Sequence, residues 1–156
     1  MVGVLDVYSG SAGLTAGKDN FMRYLAVVFL MALSGFPRSA QYSAQYQTCS
    51  DRAKTQTEMN ACANEEAVRV DADLNDVYRK LLSKAASRPE ALAKIKAAER
   101  AWVAYRDAYI DAMYPANDKQ AEYGSVYPME VDLLRAKLTG QQVAALRALL
   151  EQYSGG

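Results

Sequence analysis

The sequence predicts an all-α protein: a long antiparallel helical hairpin followed by two shorter C-terminal helices, with one disulfide at the N-terminal end. Three observations carry this expectation. From residue 53 to 113 alanine, leucine, lysine and glutamate are common, glycine is missing, and Pro89 is the only proline. Across the same stretch apolar residues recur at steps of three and four, the period of one helix face. Thr55 followed by Glu58 fits a capping box, in which hydroxyl and carboxylate reciprocally satisfy free N–H groups of a first helical turn.

Taken in chain order, residues 1–21 hold Gly3, Gly10, Gly13 and Gly17 among Ser9, Ser11 and Thr15, with no sustained period. They read as an unstructured extension, and Met22 as the expected start of translation. Residues 22–40 read as a secretory signal peptide: Met22-Arg23 is a short basic start and Tyr24 to Gly35 an apolar or small run. A membrane anchor would need about 20 apolar residues, and this run ends at Pro37-Arg38. A buried helix is the other reading. Phe36 follows Leu33-Ser34-Gly35 where a lipoprotein signal would place cysteine, so lipid attachment there is excluded. Cleavage is expected after Ala40, with Ser39 and Ala44 as alternatives. Residues 45–153 then form a single helical domain, large enough for one core and too small for two.

Cys49 and Cys62 are the only cysteines. With a helix starting near residue 56, Cys62 falls in its second turn and Cys49 in a preceding irregular segment. A bond between them would clip the incoming chain onto the helix; the alternative is two unrelated buried thiols. The first helix carries Met59, Ala63, Ala67, Val70, Leu74, Val77 and Leu81 on one face. It ends near Ala86, where Ser87 and Glu90 supply a second capping box around Pro89. The second helix follows with Leu92, Ile95, Ala98, Trp102, Tyr105, Tyr109 and Met113 as its stripe. The tight connection folds the pair back antiparallel, with Trp102 the largest group on the seam. After Tyr114-Pro115, residues 116–128 carry Asn117, Asp118, Gly124 and Pro128 and read as a long loop. Periodicity resumes at Met129, Leu133, Leu134 and Leu138. Thr139 and Gln142 suggest a third capping box before Val143, Leu146, Leu149, Leu150 and Tyr153, so two short helices are expected to pack across the long pair. The tail from Ser154 should fray.

Function classes narrow by exclusion. Setting aside Lys18, Arg23 and Arg38 from the 18 basic residues, and Asp6 and Asp19 from the 18 acidic ones, leaves a charge of about −1. No run of like charge appears, so no nucleic-acid partner is expected. The chain has no histidine, which removes the commonest general base and metal ligand. Oxidised cysteines would supply neither a thiolate nucleophile nor a soft metal site. Glu65, Glu66, Asp71, Asp73 and Asp76 lie within three turns of one helix, which is the pattern of a solvated face. Catalytic residues, metal and cofactor are therefore all expected to be none. Eleven tyrosines against three phenylalanines are lopsided. Tyr42, Tyr46, Tyr114, Tyr123 and Tyr127 fall in segments read as irregular, where tyrosine supplies contact area at low entropic cost. The expected partner surface is the 114–127 loop, with Tyr114, Tyr123, Gly124, Ser125 and Tyr127 as its candidates. Arg106 is expected to bridge to Asp71 or Asp73 across the helix seam, and Asn75 to be a hydrogen-bonded spacer.

Several motifs stand in one order: Thr55-Gln56-x-Glu58-Met59-Asn60-x-Cys62-Ala63, then Asp71-x-x-Leu74-Asn75 and Tyr78, then Trp102-x-x-Tyr105-Arg106-Asp107-Ala108, then Gly124-Ser125-x-x-Pro128-Met129 and Leu138-Thr139. In this the chain resembles the LprI-type family of secreted or envelope-associated bacterial helical domains, named for a lysozyme inhibitor. The resemblance runs from about Cys49 to Leu149. It implies a periplasmic or secreted binding protein, not an enzyme, whose partner is a lysozyme-like muramidase and whose mature chain does not span a membrane. The alternative is an envelope scaffold module with another protein partner. Relatives often have a second cysteine pair, to which Ile110 and Leu134 correspond here, and two glycines where this chain has Tyr123-Gly124.

Overall fold

The structure is a computed structural model and describes residues 42–154; the expectations for residues 1–21 and 22–40 lie outside the described residues. The described chain is all-helical: α1 (Ala44–Arg52), α2 (Gln56–Ala85), α3 (Pro89–Met113), α4 (Lys119–Tyr123), a 3-10 turn (Gly124–Val126) and α5 (Tyr127–Ser154).

The capping box forms as the residue pattern predicts. The Glu58 N–H donates to the Thr55 hydroxyl at 3.2 Å, and the Glu58 carboxylate accepts from the N–H groups of Lys54 and Thr55 at 2.6 and 2.9 Å. From there α2 runs 30 residues and buries Ala63, Ala67, Val70, Leu74, Val77 and Leu81. Met59 is only half-buried. At the far end Pro89 occupies the first turn of α3, but the cap is Arg88 and no side chain bonds to it. The expected Ser87 capping box is absent. Proline presets the first-turn φ and has no N–H to satisfy, so the start tolerates an uncapped arginine.

The sequence of contacts fixes the topology. Asn64 faces Asp132, and the Cβ position of Gly140 lies 3.9 Å from Val70 Cγ1, so α2 and α5 run parallel. Gln142 donates to Glu99 at 2.8 Å, and Arg106 sits 3.9 Å from Asp71, so α3 runs antiparallel to both. The result is an up-down-up bundle in which α2 and α5 make the closest seam, with Ala63, Ala67, Ala136, Thr139 and Gly140 keeping it narrow. The core contains Leu74, Val77, Leu81, Ile95, Val143 and Leu146 among its members, with Tyr78, Leu92, Trp102 and Tyr153 packed against it.

Four further expectations are corrected. Residues 44–52 are helical rather than irregular, started by Ser43, whose hydroxyl accepts from the Tyr46 N–H at 3.1 Å. The helix buries none of its residues and is held by tertiary links, which a stripe-based reading does not register. The 114–128 segment is not a plain loop, since α4 and the 3-10 turn occupy its second half. The two short C-terminal helices are one 28-residue helix that continues through Thr139. Packing of Thr139 and Gly140 against α2 outweighs the helix cost of glycine, about 1 kcal/mol. Lastly, the inward face of α3 is Ile95, Glu99, Trp102, Arg106 and Ile110, whereas Tyr105 and Met113 are 57% and 52% exposed.

Candidate functional site

The segment joining α3 to α5 is built as a closed structure. Tyr114 ends α3, and Asp118 starts α4 by accepting the Ala121 N–H at 3.0 Å. Gly124 adopts φ 69° and ψ −162°, a region that favours glycine, and turns the chain into the 3-10 segment. These turns bring Tyr114, Tyr123 and Tyr127 together. Tyr114 meets the other two rings edge-on at centroid distances of 5.3 and 5.2 Å, and Tyr123 stacks on Tyr127 at 5.7 Å. Such pairs contribute about 0.5–1.5 kcal/mol each beyond the area they bury. The Ala116 N–H donates to the Tyr123 hydroxyl at 3.2 Å, the Tyr114 hydroxyl donates to Glu130 at 3.4 Å, and the Lys119 ammonium donates to the Tyr114 carbonyl. Burial, then the charge and hydrogen bond of Glu130, hold the Tyr114 phenol above its ordinary pKa, so it stays protonated.

The start of α2 braces this segment from beneath. Asn60 donates to the Ser125 carbonyl at 3.1 Å, and Gln56 donates to Asn60 at 2.8 Å while lying 3.9 Å from the Met129 sulfur. All five candidate loop residues thus share one end of the bundle. Three of them are rings half-buried against one another, Gly124 is half-buried, and Ser125 is exposed. Around them Asp111, Asp118, Glu122 and Glu130 are exposed; of the cations at this end Lys119 is engaged with Tyr114 and Asp111, while Arg52 and Lys54 are exposed beside the start of α2. This end carries a negative rim.

A second cluster joins α2 to α3. Asn75 donates to the Asp71 carbonyl and carboxylate at 2.8 and 3.1 Å, so it orders Asp71 on its own helix rather than spacing a crossing. Arg106 lies over the Trp102 ring at 5.2 Å, pairs with Asp107 at 2.9 Å and reaches Asp71 at 3.9 Å. Its side chain is 14% exposed against 51% for Asp71, so the arginine is mainly a cover for Trp102. Leu74 and Tyr78 complete the packing beside this cluster, Leu74 buried and Tyr78 half-buried.

The disulfide between Cys49 and Cys62 spans a Cα separation of 5.7 Å and fastens α1 to α2. Beside it the reading of Glu66 as part of a solvated face is corrected. Glu66 is buried, accepts the Ser43 N–H and hydroxyl, and pairs with Arg69 at 2.9 Å. Burial pushes its pKa upward, but the hydrogen bonds from Arg69 and Ser43 outweigh this, and the net direction is down. A carboxylate so held is a structural anion and not a poised general acid. Its position three residues from Ala63 and four from Val70, inside the apolar stripe, was the available signal. Among the described residues no group of three or more His, Cys, Asp or Glu side chains could hold a metal.

Residues 49–146 match the family model described as Lysozyme inhibitor LprI. The chain belongs to the LprI family. It is also 32% identical over 111 residues to an uncharacterized protein of Rhizobium meliloti (strain 1021), covering 64% of this chain and 77% of that one. No solved structure matches. The matched span of this LprI-family chain takes in the disulfide, the Asn60 brace, the Trp102–Arg106 cluster and the tyrosine loop. Ile110 on α3 is buried and Leu134 on α5 is half-buried. None of the described helices is long and apolar enough to cross a membrane.

Proposed function

We propose that this LprI-family protein acts by binding, as an inhibitor of a lysozyme-like muramidase, in the periplasm or outside the cell. The observation that carries the reading is the ordered segment from Tyr114 to Tyr127, closed by three mutually packed tyrosines and braced by Asn60. A pre-ordered projection loses little entropy on docking, which is what steric occlusion of a cleft requires. Ser125 and the exposed acids Asp118 and Glu122 would face the partner, and a negative rim suits a basic muramidase. The Cys49–Cys62 crosslink supports an oxidising compartment, and a signal peptide over residues 22–40 would deliver the chain there.

The test is a cell-wall clearing assay with oxidised protein. Clearing should slow as the protein is added, and the charge-reversed variant Glu122→Lys, which leaves the Asp118 cap in place, should need roughly threefold more for the same effect, as expected of one rim charge. Unchanged clearing at large molar excess removes the inhibitor reading. A second reading, an envelope scaffold module, draws on the exposed Tyr105, Tyr109 and Met113 on α3. It predicts a co-purifying envelope protein without muramidase activity.

A further inference from the structure

The fold separates charge that the linear sequence interleaves. The hairpin turn, the last turns of α2, the first turns of α3 and the end of α5 meet at one pole, where Arg88 lies over the Tyr153 ring at 5.4 Å. Lys84, Arg88, Lys94, Lys96 and Arg147 are all exposed on its side, and Arg100 is exposed midway along α3. Arg79 and Lys80 add to them but share Asp76. Against these stand the exposed Glu90 and Glu151, while Glu99 is buried and bonded to Gln142. Among the described residues Lys84, Lys94, Lys96 and Arg100 form no ion pair. The opposite pole holds the tyrosine loop and its acids. A 30-residue α2 separates the two by about 45 Å, several screening lengths at physiological salt. Each pole is therefore felt by a partner on its own, whatever the net charge.

Lysines near a helix C-terminus complement the helix dipole, which accounts for Lys84 in the last turn of α2. That effect is confined to the end turns of a helix, so it does not account for Lys94, Lys96 and Arg100, which lie beyond the first turn of α3. We infer that the hairpin pole docks on an anionic membrane surface, its lysines and arginines meeting phospholipid phosphates, and so points the tyrosine pole away from the bilayer. The cations are spread over the ends of three helices around the hairpin turn, an arrangement that suits a surface of phosphates, and among the described residues no row of exposed aromatic rings on which bases would stack lies beside Lys84, Lys94 and Lys96. This inference does not depend on what the tyrosine pole binds.

Co-sedimentation of the full chain with phosphatidylglycerol vesicles tests it, with phosphatidylcholine vesicles as the neutral comparison. Binding should favour phosphatidylglycerol and fall as salt is raised. The variant Lys84→Gln/Lys94→Gln/Lys96→Gln keeps good helix formers at exposed sites and should bind phosphatidylglycerol about 100-fold more weakly, near fivefold per cation. The variant Arg52→Gln/Lys54→Gln removes exposed cations from the other pole and should stay within about twofold of the parent. Equal binding to both vesicle types overturns the inference, as does an equal loss in both variants. Capture of double-stranded DNA more tightly than phosphatidylglycerol at the same salt, lost in the triple variant, would assign the pole to nucleic acid and overturn the membrane reading. Clearing assays on cell walls are read separately, so failure of docking and failure of inhibition are distinguishable.

Discussion

Glu66 decides how α1 sits, because its two oxygens accept from Ser43 and Arg69 in a place where water does not reach. Replacing it by glutamine keeps the shape but removes the charge, and should cost about 1.5–3 kcal/mol, the range for hydrogen bonds to an ionised group. The pH dependence follows from the direction of its shift. The folded pKa lies below the ordinary 4.5, so the stabilisation is complete above that value and is lost as pH falls through the lower, folded one. Thermal melts of parent and Glu66→Gln should therefore differ most at neutral pH and converge in acid; a gap that widens on acidification would contradict this. Thr139 presents the opposite case: among the described residues its buried hydroxyl has no hydrogen-bond partner. Thr139→Val should raise stability by about 1 kcal/mol, read as a higher denaturant midpoint, because it deletes an unpaid desolvation and keeps the branched shape. The residue pattern put Glu66 on a solvated face and Thr139 at a helix start; that both lie buried, one with partners and one without, required the fold.

Among the elements, α2 was the most readable, since its cap is local and its apolar stripe runs nearly unbroken from Ala63 to Leu81. The stripe of α3 was misplaced for a physical reason. Tyr105 and Tyr109 are amphipathic and tolerate exposure, while Glu99 and Arg106 enter the inward face because Gln142, Trp102 and Asp71 receive them. The break expected at Thr139 failed because its side chain is buried within a continuous helix instead of capping a new one, and Gly140 ends nothing. A Cβ there would meet only Val70 Cγ1, at the ordinary contact distance of 3.9 Å. Gly140→Ala should thus be neutral to stabilising, by up to about 1 kcal/mol from helix propensity, in chemical denaturation. Gly124 behaves differently. Open space surrounds its Cβ position, but φ 69° with ψ −162° strains any other residue. Gly124→Ala should cost about 1–3 kcal/mol locally, leave helical circular dichroism intact, and weaken whatever the tyrosine loop binds. Unaltered fluorescence and melting in that variant would show the loop to be more tolerant than its backbone implies.

At the scale of the molecule, the parallel pairing of α2 with α5 makes α3 the strut that returns the chain, and the crosslinked α1 is an addition to a bundle already complete. All-helical class and the Cys49–Cys62 bond were legible from period and cysteine count. The charge separation was not, because Lys84 and Arg147 approach one pole only when α5 folds back along α2. The same geometry predicts what a reductant does. Helix α1 spans nine residues and buries none of them, so its helix depends on the disulfide and on Ser43 at Glu66. Opening a loop with a sequence separation of 13 removes roughly 3 kcal/mol in the chain-entropy account. That loss falls on α1 and the approach to α2, because the core from Ala67 to Leu146 makes no use of Cys49. Reduced protein should keep nearly all its helical circular dichroism, while amide exchange rises across residues 44–60 and stays slow in the buried turns of α2 and α5. Collapse of the whole helical signal on reduction would mean that the bundle is held by the bond, and that the α2–α5 seam is far weaker than its close packing indicates.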